Sequence, residues 1–333
     1  MISCLRDAGV EVTERHVPVW EGREHKFQAG AGAALQLARA ELALLRRQRT
    51  AFDALVVGYP GHFDLPAAKR VARGRLVVFN PLVSLADTLV EDRARFARGS
   101  RAARVLRAVD RAAFRAADLV VADTESHATF FRELGARRVE VCLVGADERV
   151  FTPGWEQPAA FSCLFVGKLI PLHGLDTILE AARRAPDLQF RVVGSGQLEE
   201  QLRHRPDNVE WRTWVDYELL PNQLHHAGCA LGIFGTSGKA QRVIPNKVFQ
   251  ALACGTPVVT ADTPAARELL ADGESALLVP PADPDALVVA LRLLASDSDL
   301  ASRIGAGGLT AYREHASEAI LGARWRALIE ELL

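Results

Sequence analysis

Short runs rich in Val and Leu punctuate this chain, and between them lie longer stretches of Ala, Leu and Arg at helical spacing. The runs are apolar almost throughout, the pattern of strands covered on both faces. In the first half they predict strands at Val10–Val19, Leu55–Tyr59, Leu76–Asn80, Leu119–Asp123 and Val139–Val144. In the second half they predict Ser162–Gly167, Gln189–Val193, Val209–Trp214, Ala230–Phe234, Pro257–Thr260 and Ala276–Val279. Continuous apolar strands alternating with helices give an α/β protein with parallel sheets. The alternation pauses at Phe151–Pro158, FTPGWEQP, where two prolines and a glycine mark a linker. Two Rossmann-like domains are therefore expected, over residues 1–153 and 154–333. The first opens unusually. Leu5–Gly9 reads as the end of a helix leading into a second strand at Val10, with no strand and glycine-rich turn before it. Either the domain dispenses with its first strand or its start lies upstream of Met1.

Size and charge narrow the picture. The 333 residues suit two domains of common size, and 49% apolar content with 24% charged residues describes a packed globular chain. A formal net charge of −1 argues against a strongly basic nucleic-acid binder. No apolar run reaches the length of a membrane span, and MISCLRDAGVEV lacks the features of a secretory leader, so a cytoplasmic protein is expected. Cys4, Cys142, Cys163, Cys229 and Cys254 lie far apart and mostly in apolar runs, which predicts buried free thiols.

Open parallel sheets bind ligands beyond the carboxyl ends of their strands. After Ser162–Gly167 come Lys168, His173 and Gly174 and then a helix from Leu175 to Arg184. A cation, a tight glycine turn and a helix start suit a pyrophosphate. After Gln189–Val193 come Gly194 and Gly196, which let backbone approach a ligand closely. After Ala230–Phe234 a polar stretch runs to Pro245, which fits the first turn of a helix through Leu252 to Gly255. Asn246 and Lys247 open that helix, a second anion site.

This ordered set resembles the retaining glycosyltransferases of the GT-B fold, family 4. Gly145, Asp147, Phe151 and Pro153 are similar to the family's N-G-x-D…F-x-P signature. Gly167 and Lys168, with His173 and Gly174 following, resemble its G-R…K-G phosphate motif. Gly194 and Gly196 resemble the next glycine motif, and Ala251–Val259 resembles the E-A-x-A-x-G-x-P-V-V block. Glu268, Gly273 and Leu278–Pro281 continue the order. The resemblance implies two facing Rossmann-like domains, with the acceptor on the first and a nucleoside diphosphate sugar on the second. It also implies a last helix, about Ser317–Leu333, returning to the first domain. Its phosphate clamp falls on Lys168 and His173, with Lys247 and Lys239 as further cations. The two glutamates of the family fall on Arg242, at the sugar, and Gln250, at the ribose. Gln250 still bonds a diol, whereas Arg242 cannot accept from a hydroxyl. His173 is expected to be partly charged near neutrality. The family's first-domain histidine falls near Asn80 and is absent, leaving His62 as the nearest replacement, at the acceptor site or as a packing residue. Glu268 joins the donor site or supplies charge to a helix start.

Asp283 with Asp285, and Asp297 with Asp299, form two Asp-x-Asp pairs, each just before a predicted helix. They read as helix caps, and no metal and no cofactor beyond the donor are expected. Eight arginines lie between Arg93 and Arg115, and Arg101, Arg104, Arg107, Arg111 and Arg115 recur at helical spacing opposite Val105, Leu106 and Val109. That helix is either an ordinary surface helix or a contact with anionic lipid that brings the enzyme to a lipid-linked acceptor at the membrane's inner face. The expected activity is retaining, metal-independent glycosyl transfer. A non-catalytic homologue acting as a scaffold is the alternative, and a sugar-nucleotide epimerase would need carboxylate bases that the sequence does not place.

Overall fold

Residues with branched, apolar side chains on both faces can satisfy their backbone only beside other strands under a helical cover, and that is what the Val- and Leu-rich runs do. The computed structural model describes residues 1–19, 31–46 and 51–333. In the first domain, helices α1 (Ile2–Asp7) and α2 (Ala31–Arg46) precede β1 (Ala54–Val57), α3 (Leu65–Ala72), β2 (Leu76–Phe79) and a π-helical turn at Asp87–Asp92. Helix α4 (Arg101–Ala116), β3 (Leu119–Ala122), α5 (Glu125–Glu133) and β4 (Val139–Val141) follow. The described strands form one parallel sheet in the order β1-β2-β3-β4.

The second domain contains β5 (Ser162–Val166), α6 (Leu175–Arg184), β6 (Gln189–Val193), β7 (Val209–Arg212), α7 (Leu220–His225), β8 (Cys229–Leu231), α8 (Asn246–Cys254), β9 (Val258–Ala261) and β10 (Leu277–Val279). Helices α9 (Pro284–Ser296), α10 (Ser298–His315) and α11 (Glu318–Glu330) complete it. Its sheet is parallel, in the order β10-β9-β8-β5-β6-β7. The order reverses between β5 and β8, which puts the switch point of the sheet beside Gly167.

Local signals set several helix ends. Asp283 accepts from the Ala286 amide and Asp297 from the Leu300 amide, so one member of each Asp-x-Asp pair caps a helix, as expected. Pro245 precedes α8, and Gly255 closes it at φ +76°, a conformation that suits glycine. All five cysteines are free and buried.

One predicted strand fails. Residues 10–18 carry no regular structure; Val10 and Val12 pack against the core beside Cys4 and Trp325, and among the described residues no strand pairs with them. The face of α4 also differs from expectation. Ala103, Asp110, Ala113 and Phe114 point inward, whereas Val105 is 60% exposed on the side that carries Arg101, Arg104, Arg111 and Arg115.

The chain crosses between the domains twice. The first crossing leaves β4 and reaches Phe151, which is buried in the second domain's core. The second follows α10 through Ala316 into α11, whose Leu321, Trp325 and Leu328 pack against β2, β3 and α1 in the first domain. The crossings touch. Gly145, at φ +73°, lies so close to the Ala316 carbonyl that a Cβ there would stand 2.7 Å from the oxygen. Glu148 ties them further, accepting from the Glu318 amide at 3.0 Å and the Tyr312 hydroxyl at 3.1 Å.

Candidate nucleotide-sugar site

At the end of β5, Gly167 takes φ +149° and leaves room for Lys247 from the first turn of α8. A Cβ on Gly167 would lie 2.9 Å from the Lys247 Nζ. That ammonium sits 3.6 Å from the centroid of the Phe165 ring, sealed from solvent and without a hydrogen-bond partner among the described residues. Burial pulls its pKa well below the usual lysine range. Contact with the ring face offsets part of the cost of desolvation.

His173 lies beside it and is 7% exposed. Its Nδ1 donates to the Lys168 carbonyl and its ring meets Phe165 edge-on, with centroids 5.5 Å apart. Burial, and after it the neighbouring Lys247, hold its pKa well below the usual value, which favours the neutral imidazole. The expectation of a partly charged clamp residue is corrected, because burial disfavours the charged ring. Lys168 is exposed at the mouth of this turn. Gln250 lies one helical turn beyond Lys247, hydrogen-bonded to Tyr217, and with Lys247, Leu164, Val166 and Leu231 it lines a small pocket. Asn246 is exposed at the start of α8.

Other expected site residues are used differently. Gly194 and Gly196 give way to backbone of their own domain, since a Cβ on Gly194 would collide with the Gly167 carbonyl and one on Gly196 would lie 2.8 Å from the Leu169 carbonyl. The Glu268 carboxylate accepts from the amides of Glu125 and Ser126 at 2.6 and 2.8 Å, and from the Ser126 hydroxyl at 2.7 Å. It caps α5 of the other domain across the cleft, not the helix after Pro264. His62 is also corrected. It is 2% exposed, packed edge-on against Phe79 and Phe114, with its Nε2 3.4 Å from Asp110, and burial lowers its pKa. A histidine so enclosed is part of the first domain's core.

Arg242 faces the first domain. It pairs with Asp87 at 2.9 Å, stacks 4.1 Å over the Phe130 ring, and its carbonyl accepts from Thr124. Lys239 donates to the Thr88 hydroxyl at 2.9 Å and is 7% exposed. Asp87, Thr88 and Asp92 were not found by sequence reasoning, and neither was the buried pair of Asp123 with His127 Nδ1 at 2.6 Å. A carboxylate at the carboxyl end of β3 was the available signal for Asp123. The π-helical turn leaves none, because the α-helical period does not align residues five apart.

Residues 160–297 match the model of the family described as Glycosyl transferases group 1. They belong to that family. The D-inositol 3-phosphate glycosyltransferase of Geodermatophilus obscurus is 31% identical over 284 residues, covering 73% of this chain and 62% of the relative. The phosphatidyl-myo-inositol mannosyltransferase of Mycobacterium leprae is 33% identical over 162 residues, 46% of this chain and 42% of the relative. The chain thus spans less than two thirds of the length of these curated relatives. Sucrose-phosphate synthase from Thermosynechococcus elongatus superimposes with a TM-score of 0.73 at 17% identity, covering 93% of this chain and 85% of the other. Anabaena HepE, solved with UDP-glucose, gives 0.69 at 17% identity over 89% and 82%. The chain accordingly has the GT-B fold, with two parallel-sheet domains facing across a cleft. Among the described residues no helix is long and apolar enough to cross a membrane.

Proposed function

We propose that the chain transfers a sugar from a nucleoside diphosphate sugar to an acceptor held by the first domain. One observation carries this reading: the buried, unpartnered ammonium of Lys247 between Gly167 and Phe165, beside the Leu172–Gly174 turn. A diphosphate at that turn supplies the missing partner and stabilises the charged form of the lysine. Lys168 adds a second cation at the mouth, neutral His173 fixes the turn, and Gln250 faces the ribose. Cations so placed stabilise negative charge that develops on the diphosphate as the glycosidic bond breaks. The names of the relatives, two of them glycosyltransferases acting on inositol derivatives, support the reaction class.

Retention of configuration, and independence of metal and cofactor, belong to the same proposal. Asp283 and Asp297 are engaged as helix caps. The test is to titrate UDP, GDP and ADP, free and as sugar conjugates, by thermal shift, then to assay hydrolysis and transfer with and without EDTA. Stabilisation by one nucleotide series, EDTA-resistant turnover and a product of unchanged anomeric configuration are expected. A chain that binds none of these ligands and turns over no donor would leave the scaffold reading in its place.

Contact of α4 with anionic lipid is proposed as well, on the exposed arginines that surround Val105. Sedimentation with phosphatidylserine vesicles, weakening as salt rises, is expected; equal sedimentation with neutral vesicles would remove the proposal.

A further inference from the structure

Arg242 and Gln250 stand where the resemblance puts glutamates, so the second domain offers no carboxylate at those two positions. The first domain brings its own. Asp87–Asp92 is a π-helical turn, in which the wider winding lines up residues five apart. Its facing side meets the second domain at three points. Asp87 accepts from Arg242, Thr88 accepts from Lys239, and Asp92 lies against Lys239 and the backbone of Leu172.

Asp92 is the unusual one. It is 4% exposed, and neither carboxylate oxygen has a hydrogen-bond partner by ordinary geometry among the described residues. Burial raises its pKa, and Lys239, Arg93 and the Leu172 backbone only partly oppose that, so its charged form is short of the close donors that a buried carboxylate needs. Lys247 is the opposite case, a sealed cation without an acceptor. Both neighbour the Leu172–Gly174 turn. His173 feels Lys247 and Lys239, and Asp92 faces the preceding Leu172. A ligand satisfying both must carry anionic oxygens at one end and hydroxyl donors at the other, and a nucleoside diphosphate sugar does.

We propose that Asp92 accepts hydrogen bonds from hydroxyls of the transferred sugar, and that Asp87, held by Arg242, sets the position of the turn that presents it. The inference rests on the donor assignment above and moves sugar recognition to the first domain. Asp87 is a positioning residue; Asp92 touches substrate.

The test compares wild type with Asp92→Asn, using UDP, GDP and ADP alone and as their glucose and mannose conjugates. Binding of the bare diphosphate should change by less than about threefold, because Lys247 and Lys168 hold it from another part of the site. Turnover of the sugar conjugate should fall about ten- to a hundredfold, the loss expected for a charge-assisted hydrogen bond. Unchanged conjugate turnover in the variant would overturn the role of Asp92 and leave the donor assignment standing. Wild-type protein that binds none of the diphosphates would overturn both. Asp92→Ser serves the same comparison if the asparagine variant does not fold. Failure of both variants to fold, or equal loss of bare and conjugated nucleotide, would mark Asp92 as structural and defeat the inference.

Discussion

Lys247 is held by the close packing of two residues, Gly167 below its ammonium and Phe165 beside it. Its folded-state pKa is lowered by burial, while the unfolded chain keeps the ordinary value of about 10.4. The unfolded state therefore binds the extra proton, and the penalty grows as pH falls below that value. Lys247→Met should raise the melting temperature at pH 7 and abolish most donor binding, with the stability gain shrinking as pH approaches about 10. Melting curves between pH 6 and 10, paired with nucleotide titrations, check this; a methionine variant less stable than wild type at pH 7 would contradict it. By the same physics, a lysine at His173 would bury a second cation beside the first. These residues were legible in the sequence because each stands at a strand-to-helix junction, and the fold class alone aims such junctions at the cleft. Asp92 was not legible, because its role arises from the opposing Lys239 and Leu172, a juxtaposition that no local pattern encodes. His62 misled for a related reason: its neighbours in sequence form a surface turn, while its ring packs among Phe79 and Phe114.

Helix α5 shows how an element of one domain comes to depend on the other. Its free amides at Glu125 and Ser126 point toward the cleft, and the Glu268 carboxylate caps them. Removing such a cap typically costs about 0.5–2 kcal/mol. Glu268→Ala should therefore speed hydrogen exchange at the Glu125 and Ser126 amides and widen the cleft slightly in small-angle scattering, with little effect on the second domain's core. Unchanged exchange at both amides would show that another group satisfies them. Elements with two buried faces were the most readable: β3 and β9 are buried along their whole length, and their apolar runs leave no alternative to a central strand. Val10–Thr13 alternates apolar and polar residues like the edge of a half-buried strand, but Glu14–His16 break the pattern, and among the described residues the segment has no partner strand. The α4 helix was placed correctly but turned, because small Ala103 and Ala113, with the buried Asp110, face inward while Val105 does not. Asp110 accepts from Ser84, Leu85 and Ala86 and so anchors the segment leading into the π-helical turn.

At the scale of the whole molecule, the two domains are joined by two kinds of contact. On one side lie apolar residues, with Phe151 in the second domain's core and Leu321, Trp325 and Leu328 in the first domain's. On the other lie polar groups: Arg242 with Asp87, Lys239 with Thr88, and Glu268 with α5. Water can replace the partners of the second group at modest cost, whereas separating the first exposes apolar surface. The paired crossings at Gly145 and Ala316 then have a mechanical consequence. A single tether permits twist, slide and swing. Two tethers in contact at one edge suppress the first two, and what remains is rotation about the line where they touch. Opening of the cleft is then expected as rotation about that line, like a book about its spine, parting Arg242 from Asp87 and Lys239 from Thr88 and bringing each pair back in register.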